Sequence, residues 1–240
     1  NAAALLHRLT VPPGSAGPES KDVSAKEQIA IRKYLKSNGA VFALLHILKA
    51  PQLRHATTLC YALLAIGNLI AWDLDAHKQF RESDGVASVA LCLRHFPDSM
   101  GIQEKGCYAL ACAAATYSSK TKSVFLHSSC IDLVVKALNQ ANVGSTHDAV
   151  IKQACAALAA MCLGSNENAA RAGNLGALSL LLGAFESYRQ GSRAEGGRHE
   201  MHLVCNAFLS LMCSPENRKI ASSQGGSALI LRAMRIFRLD

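Results

Sequence analysis

Apolar residues recur along this chain at helical spacing, and the apolar stretches themselves recur at a longer interval. Cys60-Tyr61-Ala62-Leu63 opens one helix-like stretch, and Cys107-Tyr108-Ala109-Leu110 opens another 47 residues later. Ala154-Cys155-Ala156-Ala157-Leu158 follows after a further 47, and Val204-Cys205-Asn206-Ala207-Phe208 after a further 50. A second echo runs out of phase with the first. Gly39-Ala40-Val41-Phe42-Ala43-Leu44-Leu45 precedes the first stretch, and Gly85-Val86-Ala87-Ser88-Val89-Ala90-Leu91 precedes the second. Gly176-Ala177-Leu178-Ser179-Leu180-Leu181-Leu182 precedes the fourth, and Gly225-Gly226-Ser227-Ala228-Leu229-Ile230-Leu231 comes near the end. Each Gly is suited to end one helix in the left-handed conformation and let the next start at a steep angle. In the third unit Cys130-Ile131-Asp132-Leu133-Val134-Val135 stands in this place, so that turn is expected to differ. A third, polar echo, Asn166-Glu167-Asn168 and Pro215-Glu216-Asn217-Arg218, predicts caps for a short helix ahead of the Gly corner.

The repeating unit is therefore a short helix, a corner, a second helix, a loop and a long third helix. Its boundaries are read as 26–70, 76–117, 119–162 and 166–213, with a partial unit at 216–238. Residues 3–9 suggest a leading helix, and 11–25, with Pro12, Pro13, Gly14, Gly17 and Pro18, reads as a linker, so that 1–25 precede a repeat domain over 26–240. This order resembles the armadillo repeat over about residues 26 to 238. The resemblance implies an all-α, right-handed α-solenoid of about 4.5 repeats, whose third helices line a concave groove. It also implies a non-enzymatic scaffold for protein–protein interaction.

Armadillo proteins of the nuclear-import type carry a Trp, then an Asn one turn later, on each third helix. Here Leu64 and Asn68 hold those places in the first unit, with Trp72 one turn further on. Ala111 and Ala115 hold them in the second unit, and Ala156 and Ala160 in the third. In the fourth, Cys205 or Asn206 precedes Leu209 or Ser210, and the alignment slips by one. The ladder is missing apart from Asn68. That favours a shallow apolar floor, suited to a helix or loop of a partner, over recognition of a basic import peptide. Tyr61, Asn68 and Trp72 share a helical face, Tyr108 repeats the place of Tyr61, and aromatic residues of this kind anchor binding surfaces. The alternative for both tyrosines is a ring packed between units with only its tip exposed. Glu104, Lys152, Gln153, His202 and Asn206 complete the candidate groove.

Composition adds a bias rather than a function. The net charge of +8 is dispersed along the chain, which suits acidic partners without marking a nucleic-acid footprint. Two places are locally basic. Residues 187–199 read as a long loop carrying Arg189, Arg193 and Arg198, and Arg232, Arg235 and Arg238 recur every three residues near the end. Nucleic-acid binding through these groups is the alternative of another class. The nine cysteines sit in apolar patterns without C-x-x-C pairs, which reads as buried reduced thiols and a cytoplasmic setting. No histidine or cysteine pair has ligand spacing with a second pair to match, and no catalytic triad order, H-E-x-x-H or phosphate loop is present, so neither metal, cofactor nor enzyme activity is expected. No apolar run is long enough to span a membrane.

The small size, the Ala- and Cys-rich third helices and the missing Trp/Asn array are also similar to the armadillo-repeats-only scaffolds of apicomplexan parasites. That resemblance implies a scaffold on the cytosolic face of the rhoptry membrane that positions the organelle. It would recruit an interacting partner protein, an adenylate cyclase and a myosin. Membrane attachment there is through an N-terminal lipid anchor. The chain begins Asn1-Ala2 without Met, which reads as a tag remnant, and any such anchor would lie upstream.

Overall fold

The computed structural model describes residues 25–118, 122–143, 148–190 and 198–226, together with 228, 231 and 235. The expected leading helix at 3–9 and all but the last residue of the linker lie outside the described residues. So do the side chains of Trp72, Arg189 and Arg198, and the whole of Arg193, Arg232 and Arg238. Among the described residues the regular elements are all helical. The chain divides into two compact units, residues 1–116 and 117–240.

The first unit contains α1 (Ala25–Ser37), α2 (Ala40–Leu48), α3 (Ala56–Trp72), α4 (Leu74–Glu82), α5 (Gly85–His95) and α6 (Met100–Ala114), with a 3-10 turn at Pro51–Leu53. Helix α3 carries no ionisable group other than a thiol and a phenol. It buries Leu59, Leu63, Ile66, Leu69 and Ile70 almost completely, so apolar contact surrounds most of its circumference. It stops where Asp73 turns extended, and Asp73 at once caps α4 by accepting from the Ala76 amide at 2.8 Å. Lys36 reaches back to the same carboxylate at 2.9 Å and ties α1 to this junction.

The second unit contains α7 (Ser123–His127), α8 (Cys130–Val143), α9 (Asp148–Cys162), α10 (Asn166–Asn174), α11 (Ala177–Gln190), α12 (Arg198–Leu211) and α13 (Pro215–Ser223). Residues 187–190 and 198–199, expected in a loop, belong to α11 and α12. Tyr188 is almost buried there and its hydroxyl lies 3.5 Å from Asp148 Oδ1. The basic segment is thereby cut to 191–197, outside the described residues.

The corners follow the expected glycine register in three of five places; the second departs from it, and the third differs as its Cys130 led one to expect. Gly39, Gly176 and Gly225 are left-handed, at φ 75°, 82° and 82°. In the second and third repeats the left-handed residue is instead Asp84 or Ser129, both at φ 58°, and Gly85 and Cys130 are the first helical residues. Asp tolerates this region better than most side chains. Gly85 is held by sterics: a Cβ there would lie 2.3 Å from the Phe80 ring, which is fully buried. Cys130 is likewise fully buried.

The polar echoes also play a different part. The caps are Ser165 and Ser214, whose hydroxyls accept from the amides of Asn168 and Asn217. The two asparagines are wholly buried. Asn168 Nδ2 donates to the carbonyls of Met161 (2.9 Å) and Lys122 (3.0 Å). Asn217 Nδ2 donates to Leu211 (2.9 Å) and Ala169 (2.7 Å). Each asparagine therefore satisfies a carbonyl at the end of the preceding long helix and binds one repeat to the next.

Candidate functional site

In the first unit the least buried line along α3 runs through Thr58, Cys60, Tyr61 and Leu64 to Ala71, while the other described side chains between them are buried. On α6 the corresponding line is Gly101, Glu104, Lys105, Tyr108, Ala111 and Ala115. The two helices run side by side in the same direction. A Cβ on Gly101 would lie 3.2 Å from Cys60 Sγ, and one on Gly67 would lie 2.6 Å from Tyr108 Cε1. Gly67 thus opens the notch into which the Tyr108 ring packs. At its rim the Tyr108 hydroxyl donates to Asn68 Oδ1 at 2.7 Å.

These contacts sort the candidate residues. Tyr61 and Leu64 are half-buried on the open face, and Tyr108 is half-buried with its hydroxyl engaged. Asn68 is only 3% exposed, so its amide stands beneath Tyr108 rather than on the surface. Glu104 pairs with its neighbour Lys105, which sequence reasoning passed over. Ala111 and Ala115, at the places where import adaptors carry Trp and Asn, contribute a low floor beside them.

In the second unit α9 presents Ala149, Lys152, Gln153, Ala156, Ala159, Ala160 and Leu163, all half-buried or exposed. Its neighbour α12 presents His199, His202, Asn206 and Leu209, all exposed. Cys205 and Ser210 face inward, which resolves the one-residue slip in favour of Asn206 and Leu209. The Lys152–Glu200 ion pair at 2.5 Å joins the beginnings of these helices, and a contact from the Gly164 amide to Cys213 Sγ at 3.4 Å joins the segments that follow their ends. Burial pushes the Glu200 carboxyl up, but the Lys152 ammonium, the Glu200 amide and His199 outweigh it and hold the group below the usual carboxylate range. The Asn206 side-chain nitrogen lies 3.3 Å from His202 Nδ1.

Glu200 was missed by sequence reasoning because a lone Glu on a helix is usually a solvated face. The signal was present: Glu200 follows Lys152 by one repeat length, the spacing of side-by-side positions in a stack. The cysteines at 92, 107, 130, 155, 162 and 205 are buried, and burial pushes the Cys155 and Cys162 thiols to about 12. Among the described residues no group of three His, Cys, Asp or Glu side chains is arranged to hold a metal ion, and no helix is long and apolar enough to cross a membrane.

The helical repeats, the left-handed corners and the parallel long helices define an armadillo-repeat solenoid fold. No protein-family model and no curated protein matches the chain by sequence. Among solved structures, the chain is similar to a designed armadillo repeat protein at a TM-score of 0.72 and 18% identity, covering 97% of this chain and 84% of the other. It is also similar to computationally designed armadillo repeat proteins for modular peptide recognition, at a TM-score of 0.68, 18% identity and coverage of 96% and 83%. A third is a designed armadillo repeat protein in complex with the peptide (KR)4, at a TM-score of 0.60, 15% identity and coverage of 99% of both chains.

Proposed function

We propose that the chain is a protein-binding scaffold that holds partner segments on the open faces of its long helices. The observation that carries this reading is the α9/α12 face. His202, Asn206 and Leu209 stand exposed there, beside the low row of Ala156, Ala159 and Ala160 and the Lys152 and Gln153 side chains. Leu209 is 52% exposed and Leu163 is 61% exposed, so apolar surface lies next to groups able to bond a peptide backbone. Tyr61, Leu64, Trp72, Glu104 and Tyr108 are the corresponding candidates in the first unit, with buried Asn68 holding the Tyr108 ring from beneath. The similarity to designed proteins for peptide recognition supports the reading.

The test is selection of a displayed random-peptide library on the immobilised chain, followed by fluorescence anisotropy of the enriched peptides. Leu209→Glu and Tyr61→Ser change half-buried or exposed positions, so the fold is expected to survive. Loss of binding by about tenfold or more in either variant, or about 1.4 kcal/mol, supports the assignment. Enriched peptides that bind both variants unchanged would place the site elsewhere.

Peptide binding also separates this reading from its alternatives. A groove with alanines at the import-adaptor positions is expected to show no preference for basic import peptides. Nucleic-acid binding through Arg189, Arg193 and Arg198 would show a steep loss of affinity with salt. The finer reading is a cytoplasmic scaffold on the rhoptry membrane that recruits an interacting partner protein, an adenylate cyclase and a myosin. It is supported by the sequence resemblance alone. Imaging of the tagged full-length protein in its source cell tests it, and a signal away from that organelle would end it.

A further inference from the structure

Leu163 and Leu209 are large apolar side chains left open on the α9/α12 face, and both lie where those helices end. Three contacts gather them. Buried Lys122 donates through Nζ to the carbonyls of Ala160 at 2.6 Å and Leu163 at 2.8 Å and fixes the end of α9. The Gly164 amide donates to Cys213 Sγ at 3.4 Å, and the Met212 amide donates to the Leu209 carbonyl at 3.0 Å. Leu163 and Leu209 therefore flank the Met212–Cys213 segment, whose own side chains are half-buried.

Arg218, exposed near the start of α13, is fastened to the same segment. Its Nη1 donates to the carbonyls of Met212 at 2.7 Å and Cys213 at 3.3 Å. These bonds use one terminal nitrogen and hold the guanidinium in place. Among the described residues its Nε and Nη2 make no hydrogen bond, and no Asp or Glu pairs with the group. The neighbouring acids are placed otherwise. Glu216 accepts from the Ser214 hydroxyl at 2.7 Å, and Glu167, exposed in α10, forms no ion pair with Arg218. Nε and Nη2 are the edge of a guanidinium that meets a carboxylate with two parallel bonds. An arginine already held in place loses less freedom when it binds.

We infer that this edge of the face holds a partner segment in which an Asp or Glu stands beside a large apolar side chain. The carboxylate takes the Nε and Nη2 edge of Arg218, and the apolar side chain covers Leu163 and Leu209. The inference rests on the protein-binding reading above and supplies the partner chemistry for one end of that face. Charge favours an acidic segment over a basic one. The chain carries a net charge of +8, and exposed Lys219 follows Arg218. Glu200, at the other end of the face, has one oxygen on Lys152 and the other buried, so it is closed to a basic side chain.

The experiment offers the whole immobilised chain three libraries of short, end-capped peptides. Beside a fixed Leu or Phe, one library carries Asp or Glu, the second Asn or Gln, and the third Lys or Arg. The acidic library is expected to enrich about tenfold over the other two. In fluorescence anisotropy the best acidic peptide should bind Arg218→Gln about tenfold more weakly than the parent chain. Arg218→Lys should bind it about fivefold more weakly, because an ammonium cannot fork. Replacing the acid of the peptide by its amide should weaken binding to the parent chain as much, and binding to Arg218→Gln little. Equal or greater enrichment of the neutral or basic library overturns the inference and leaves the protein-binding reading standing. So does an acidic peptide that binds Arg218→Gln as tightly as the parent. No enrichment from any library removes both. Should Arg218→Gln lose its helical circular dichroism, the amide peptide and Arg218→Lys decide: weaker binding in both supports the inference, and unchanged binding in either overturns it.

Discussion

Replacing Gly173 by Ala tests the repeat-to-repeat clamp directly. Alanine in a helix ordinarily gains about 0.5–1 kcal/mol over glycine. At Gly173 the new Cβ would lie 1.8 Å from Oδ1 and 2.6 Å from Cγ of Asn217, which is fully buried in the next repeat. Van der Waals contact requires the amide to move by roughly 1.4 Å or more. The Nδ2 bonds of 2.7 and 2.9 Å to Ala169 and Leu211 cannot both survive that shift. Each lost bond removes about 0.5–1.5 kcal/mol, and a buried carbonyl left unpaired adds about 1–3 kcal/mol. With one bond lost and the helix-propensity gain subtracted, a net destabilisation of about 0.5–4 kcal/mol is expected. Gly183→Ala is the internal control, because no atom lies within 4 Å of a Cβ there. It is exposed in α11 and is expected to gain about 0.5–1 kcal/mol. Urea titration followed by circular dichroism should therefore show the two substitutions moving the midpoint in opposite directions. Hydrogen exchange should show α13 amides opening sooner in Gly173→Ala, because the lost contacts join adjacent repeats. A Gly173→Ala chain as stable as the parent, with unchanged exchange in α13, would refute the clamp.

Three further outcomes follow from other contacts. His77 is buried, with Nε2 at 2.8 Å from the Ala113 carbonyl and in contact with the Thr116 hydroxyl, and burial holds its ring below the ordinary histidine range. Above about pH 6.5 the ring is neutral in both folded and unfolded chains. As pH falls below that, the unfolded chain takes up a proton that the folded one resists, so stability drops by up to about 1.4 kcal/mol per pH unit until the folded pKa is reached. Urea midpoints at pH 7.5 and 5.5 should show this fall, and His77→Gln should lessen it; an equal fall in that variant removes His77 as the cause. Tyr108→Phe removes the donor to nearly buried Asn68 Oδ1 and should cost about 1–2 kcal/mol in urea titration, with no change if that amide finds another donor. Ser165→Ala removes the side-chain cap of α10 and should cost about 1 kcal/mol by the same assay, whereas an unchanged midpoint would mean the Asn168 amide is satisfied without it.

Much of the fold was legible in the chain itself. Helical apolar spacing, its recurrence every forty-odd residues and a glycine at four of the five corners are local facts, and local facts determine which segments become helices and which faces turn inward. They led to the solenoid, to the burial of six of the nine cysteines, Cys60, Cys112 and Cys213 being half-buried instead, and to Leu209 or Ser210 as the end of the α12 face. Tertiary packing decided what single-chain periodicity cannot contain. Asp84 and Ser129 hold the left-handed corner, and the residue after each lies in the core, Gly85 against Phe80 and Cys130 in full burial. Asn168 and Asn217 looked like caps, and only the stacking of repeats showed them as buried clamps. The same holds for Asn68 beneath Tyr108, for Glu200 beside Lys152 and for Lys122 at the end of α9. Each of these pairings joins residues about one repeat apart. A residue's own neighbours in sequence fix its helix and face, but its partner is fixed only when the next helix arrives at packing distance.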